Sequence, residues 1–241
     1  MKKTGILIIL LSIVISAKAQ DGNYISKKKN ATKVTILGGG AASHDFLKLF
    51  GIADGKVLNN KGRNTVRYTE DSDELINLLP NTDILMLTNN RPIGADAKIK
   101  LFEEVNAGKV NLMINHPSTW YNWKDWPEYN KQLVGGGARS HEKLQEFEVV
   151  VSNPDHPIMK GVPSRFRIID ELYRWEKDPE GVDIEVLAIG RGLESGDEYP
   201  VIWIAKHSSS QIIGNTLGHD ERAHEHEAYK TILRNSLKWL D

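Results

Sequence analysis

Cysteine is absent from the 241 residues. That excludes disulfides, a thiol nucleophile and a lipidated-cysteine anchor, and it leaves a packed core to supply stability. Charge of one sign is missing too. The 31 Lys and Arg stand against 32 Asp and Glu, for a net charge of -1, so no basic face for nucleic acid is expected. Lys27, Lys28 and Lys29 form only a short solvated run. The chain has no G-x-S-x-G elbow, no dinucleotide fingerprint, no P-loop and no H-E-x-x-H. Those absences argue against a serine hydrolase, a nucleotide cofactor and a helix-borne zinc site. No Pro/Ser/Gly-rich linker and no internal repeat interrupts the pattern, so a single folded unit is expected.

No apolar run is long enough to span a bilayer. The best, Gly5 to Ile15, follows Lys2 and Lys3 and precedes Ala17-Lys18-Ala19. This is the layout of a cleaved export signal, with Gln20 as the first mature residue. The expected division is a signal peptide at 1–19, a polar and disordered leader at 20–31, and one folded domain at 32–241. Loss of Lys2, Lys3 and Lys18 takes the net charge to -4. The destination is the periplasm or the extracellular space, with no membrane contact after cleavage.

Hydrophobic periodicity gives the fold class. Lys33 to Leu37, Val66 to Thr69, Asp83 to Thr88 and Val110 to Asn115 read as strands. The helical spacing of Leu75, Leu78 and Leu79, and of Ala95, Ile99, Phe102 and Val105, falls between them. Ser43 is expected to cap a helix carrying Phe46, Leu47 and Phe50. Short alternating strands and helices predict a parallel, doubly wound α/β sheet. Later strands at Glu146 to Ser152, Phe166 to Ile169, Ile184 to Ile189, Val201 to Ala205 and Gln211 to Leu217 predict an antiparallel or mixed extension. A final helix is expected over Arg222 to Leu240.

The chemistry-bearing residues sit at predicted strand ends. His44, His116, His141 and His219 lie in loops flanked by Gly or Pro. Neutral imidazole serves as a metal ligand or as an acid/base near neutral pH. Asp45, Glu171 and Asp220 add carboxylates, so a divalent metal such as zinc could be held by such a set. His224 and His226 stand at i, i+2, which cannot share a helix face, and read as solvated. His156, between Asp155 and Pro157, reads as a turn organiser. Trp120, Tyr121, Trp123 and Trp126 crowd into seven residues. They suit either a core helix or a wall on which sugar faces stack.

Together the ordered motifs resemble the ThuA-like, trehalose-utilisation family. They are Gly39 through His44-Asp45, Asn115-His116, Trp126 to Tyr129, and Gly135-Gly136 to His141. Asp155 to Pro163, Phe166, Asp170-Glu171-Leu172-Tyr173, Pro200 to Trp203 and Leu217-Gly218-His219-Asp220 follow. The resemblance implies a flavodoxin-like, class I glutamine amidotransferase-like three-layer sandwich, mostly parallel, with a late β-rich extension. In that wider fold a nucleophilic cysteine occupies a strand-to-helix elbow. Here the elbow falls near Asn115-His116-Pro117, which puts glutaminase chemistry out of reach. The family is associated with sugar catabolism, including oxidised glycosides. The function expected from residues and resemblance together is proton transfer beside the carbonyl of a keto-sugar or keto-glycoside. His219 and His116 are the expected catalytic residues, with Asp220 orienting His219. The expected metal ligands are His44, His141 and Glu171, and the expected substrate contacts are Trp120, Trp123, Trp126 and Tyr173. A non-catalytic sugar-binding or partner-binding module is the alternative.

Overall fold

The structure is a computed structural model that describes residues 21–121 and 125–241. The expected signal segment and Trp123 lie outside the described residues. Five strands form a parallel block. These are β1 (Lys33–Leu37), β2 (Thr65–Thr69), β3 (Ile84–Leu87), β4 (Asn111–Asn115) and β11 (Ile212–Asn215), in the order β2-β1-β3-β4-β11. Their alternate residues divide between two cores, as a sheet covered on both faces requires. Val34, Ile36, Ile84 and Met86 face one core, with Phe50, Leu58, Ile232 and Leu237 from helices α1 (47–59) and α5 (Glu227–Leu240). Leu37, Leu85 and Leu87 face the other, with Leu75, Leu101 and Val105 from α2 (Leu75–Leu78) and α3 (Ala95–Asn106). Three layers result.

Beyond β11 the sheet turns antiparallel through β10 (Glu198–Ala205), β9 (Ile184–Gly192), β6 (Gln145–Val151) and β7 (Arg165–Asp170). A separate ribbon pairs β5 (Gly136–His141) with β8 (Tyr173–Lys177) and sets His141 opposite Tyr173. The decisive feature is where β11 goes. It enters beside β4 in parallel register, with Asn215 opposite Asn115. The loops that follow β1, β4 and β11 therefore open at one sheet edge, where open α/β folds gather their working residues.

Three local expectations are corrected. The leader is docked from residue 21 on, because Tyr24 exchanges both backbone hydrogen bonds with Val66 on the edge strand β2, each 2.8 Å. Its hydroxyl also donates to the Ile52 carbonyl. Asp45, not Ser43, caps α1, accepting from the Lys48 amide at 3.0 Å. The last helix is broken into α4 (Glu221–Glu225) and α5, because His226 adopts extended backbone and its ring accepts from the Ala228 amide. His156 does organise its turn, accepting from the Ile158 amide.

Candidate metal centre

Each of the three edge loops contributes one imidazole. His44 comes from the glycine-rich turn after β1, His116 from the end of β4, and His219 from the Gly218 turn after β11. One ring nitrogen of each lies within 4.8 Å of the others. The rings meet edge to face, with centroids 4.8–5.6 Å apart.

Backbone carbonyls fix two of the tautomers. A carbonyl only accepts, so His44 donates from Nδ1 to the His219 carbonyl (3.1 Å) and His116 from Nδ1 to the Thr216 carbonyl (2.9 Å). That leaves the Nε2 lone pair of His44 free, the arrangement that metal-binding histidines show. It turns that of His116 toward the Tyr173 hydroxyl, which would have to release it for His116 to serve as a ligand. Burial, then the neighbouring rings, holds His116 well below its ordinary pKa. Burial lowers His44 as well. Both rings are therefore neutral donors at neutral pH.

Glu171, between β7 and β8, joins this cluster to His141. Its Oε2 lies 3.1 Å from His219 Nδ1 and 3.8 Å from His116 Nε2, and its Oε1 lies 3.5 Å from His141 Nδ1. The contact with His219 is close but misaligned. Its buried Nδ1 has no hydrogen-bond partner, while the adjacent carboxylate still raises the His219 pKa. Burial would raise Glu171, but the contact with His219 and the nearby His141 and His44 outweigh it and hold the carboxyl below its usual value. Tyr173, buried against His116, places its hydroxyl 3.0 Å from Nε2. Burial and then the Glu171 and Asp170 carboxylates keep that phenol protonated.

Three imidazoles with converging nitrogens, one of them orphaned, beside an ionised carboxylate make a donor set that fits a divalent cation with an open position. The set differs from the expected one. His44 belongs to it, but His116 and His219 take the place of His141. His141 stands across Glu171 at the end of β5 and spends Nδ1 on the Glu142 carbonyl. Asp220 does not reach His219. It caps α4 and is held by the amide and guanidinium of Arg222. The residue that does fix His219 from behind is Asp170, whose carboxylate accepts from the Gly218 and His219 amides at 2.8 and 3.1 Å. Burial raises Asp170 to about 6.

Of the expected substrate contacts, Trp120 is half-buried beside His141 and Tyr173, with ring centroids 5.8 and 5.2 Å away. Trp126 is a core side chain, packed on Phe102 and Tyr129 beneath Lys98. No sequence pattern marks Asp54 or His224 as site-supporting groups, and Asp170 stands in the Asp170-Glu171-Leu172-Tyr173 block with nothing local to give it that role. His224 is buried, not solvated, and pairs with Asp54 at 2.7 Å. A cleft of about 450 Å³ adjoins His44 and is lined by Gly40, Asp45, Glu70 and Arg91. A larger groove, about 790 Å³, lies far from this chemistry between Met159, Val162 and Trp239, and none of the clustered histidines reaches it.

The chain matches the family model described as ThuA, trehalose utilisation, over residues 33–240. No curated protein matches it. Among solved structures it is similar to a protein assigned as ThuA-like from Parabacteroides merdae, with TM-score 0.73, 19% identity, and 87% of this chain and 89% of that one covered. A protein so assigned from Bacteroides uniformis also has TM-score 0.73 and 19% identity, over 90% and 95%. A protein assigned as a GMP synthase component from Thermoplasma acidophilum has TM-score 0.55 and 15% identity, over 88% and 96%. These structures share the fold, and at such identities the likeness carries no more than that.

Proposed function

The chain belongs to the ThuA, trehalose-utilisation family, and on that premise we propose an enzyme that moves a proton on the carbon beside the carbonyl of a keto-sugar or keto-glycoside. The observation that carries this reading is the set of three converging imidazoles with Glu171 against them. A ketone acidifies its neighbouring C–H, so one base and one stabiliser of charge on oxygen suffice.

His44, His116 and His219 would hold a divalent cation such as zinc. When bound, such an ion supplies fixed positive charge toward a substrate carbonyl oxygen. Glu171 takes the proton from carbon, being ionised, half-buried and free of any lysine or arginine partner among the described contacts. The same carboxyl then returns the proton to an adjacent carbon, giving isomerisation, or delivers it to the departing glycosidic oxygen, giving elimination. Tyr173 keeps its own proton and, with His116 turned to the cation, would donate its hydrogen bond to a substrate oxygen instead of to His116 Nε2. The Trp120 face offers a stacking surface for the apolar side of a sugar ring, and the cleft beside His44 leaves room for the rest of a glycoside.

The test uses purified protein and 3-keto-trehalose in deuterated water, with and without chelator. We expect stoichiometric divalent metal, turnover with deuterium at the carbon beside the carbonyl, and loss of both on chelation. Glu171→Gln should reduce turnover by about 10²–10⁴-fold, the usual worth of a positioned base, with an unchanged circular dichroism spectrum. Equal turnover by wild type and Glu171→Gln would sink the reading.

A further inference from the structure

His219 sits on a backbone that cannot hold itself. Gly218, immediately before it, has φ +122°, a region that side-chain-bearing residues rarely enter. Glycine rotates freely, so the orientation of the Gly218–His219 peptide must be fixed by what surrounds it. Buried side chains hold both edges of that peptide. Its carbonyl accepts from His224 Nε2 at 3.0 Å, and its N–H donates to Asp170 Oδ1 at 3.1 Å. The preceding N–H donates to Asp170 Oδ2, and the following carbonyl accepts from His44. Four consecutive backbone groups thus end on three side chains, one of them a member of the imidazole cluster.

His224 is anchored in turn. Its Nδ1 faces Asp54 Oδ1 at 2.7 Å, while Asp54 Oδ2 accepts from the Tyr229 hydroxyl at 2.8 Å. Phe50 and Tyr229 pack on its ring. Both ring nitrogens face acceptors, so an imidazolium against a carboxylate satisfies every group, and a charged donor grips a carbonyl more firmly than a neutral one. Stability alone does not account for this pair, because a buried ion pair gains little over a well-packed apolar set.

We propose that His224, braced by Asp54, and Asp170 are positioning residues that clamp the Gly218–His219 peptide from opposite edges and so aim the His219 ring. The proposal rests on the reading of His219 as a working group of the site. Two substitutions separate aiming from mere packing. In His224→Gln the amide nitrogen stands where Nε2 stood, so the bond to the Gly218 carbonyl survives. In His224→Asn it stands where Nδ1 stood, so only the bond to Asp54 survives.

The experiment reads metal-free protein first, by amide exchange at Gly218 and His219 and by ¹⁵N NMR of the His219 ring. The Asn variant should exchange at least tenfold faster at both amides and shift or broaden the ring signals, while the Gln variant stays close to wild type. Zinc affinity, by competition with a chelator, should then fall about 10–100-fold in the Asn variant, the usual effect of losing a group that supports a ligand, and within about threefold in the Gln variant. Asp170→Asn, which turns one accepting oxygen into a donor facing an amide, attacks the clamp from the other edge and should match His224→Asn. It decides the matter if His224→Asn does not fold. Identical exchange and ring signals in the Asn and Gln variants, or wild-type signals in Asp170→Asn, would overturn the proposal. If wild type binds no zinc while exchange and ring signals respond as expected, the metal role falls and the clamp stands.

Discussion

Trp120 and Trp126 lie six positions apart and end in opposite surroundings. Trp126 is about 6% exposed and wedged between Phe102 and Tyr129, whereas Trp120 borders the site. Trp126→Ala should cost about 3–5 kcal/mol of stability, as large core truncations do, measured by urea unfolding. Trp120→Ala should leave the urea midpoint near wild type and raise the Kd for a sugar ligand by calorimetry. The aromatic crowding was legible in the sequence, but the division was not, since it depends on which side chains α3 presents. His224 shows the same limit. Spacing i, i+2 rightly excludes a shared helix face with His226, yet only the fold places Asp54 beside it. The surroundings of His224 also set a pH dependence. Burial lowers its pKa, but the Asp54 charge and hydrogen bond, the Gly218 carbonyl and the buried Asp170 outweigh this and raise it above 6.5. The native state therefore binds the extra proton, so this stability is fully present below pH 6.5 and is lost as pH rises through the native value. The difference in unfolding free energy between wild type and His224→Gln should shrink from pH 6 toward pH 9, and a constant difference would contradict the raised value. Comparing the two proteins cancels the parallel contribution of His219, which Glu171 also raises.

At the scale of elements, nine of the eleven described strands were readable from their apolar runs, helped by β1, β3 and β4 being buried on both faces. The other two, β5 and β8, carry His141 and Tyr173, have no such run and read as loop. The order of the strands was not readable. The insertion of β11 beside β4 brings together residues 100 positions apart, such as Thr216 and His116, and no local pattern encodes it. The leader failed for the opposite reason. Its composition is that of a solvated segment, yet β2 is the sheet's edge and presents unpaired backbone groups. Tyr24 covers them, and its ring packs by Gly55 against the core. A chain starting at Thr32 should therefore lose about 1–2 kcal/mol from that side chain, a fall of roughly 2–8 °C in Tm. It should also aggregate more readily through the bared edge. Scanning calorimetry and light scattering would check both, and an unchanged Tm would return the leader to the role of a passive tether.

For the whole molecule, the fold explains what the missing cysteine means. The central strands β4 and β11 are parallel neighbours, so the turn after β4 and the late loop after β11 open side by side. In this chain those two places hold His116 and His219, and a third histidine, His44, closes the triangle from the β1 loop. On the proposed reading, a ligand-type side chain stands where the resemblance expects a nucleophile, and chemistry at this edge depends on what the imidazoles hold. A chain without disulfides can fold in any redox compartment, and its place must be read from other features. None of the described helices is long and apolar enough to cross a membrane. The Lys2-Lys3 start, the Gly5 to Ile15 run and the Ala17-Lys18-Ala19 site carry the proposal that the protein is exported and works on sugars that have not entered the cytoplasm. Expressed in full in a bacterial host, the protein should be recovered from the periplasm or medium with an intact mass beginning at Gln20. Ala19→Arg, which places a bulky charge where cleavage needs a small residue, should leave the signal attached and the protein membrane-bound. Recovery from the cytosol with Met1 or Lys2 in place would refute export, and the substrate would then have to be sought among intracellular sugars.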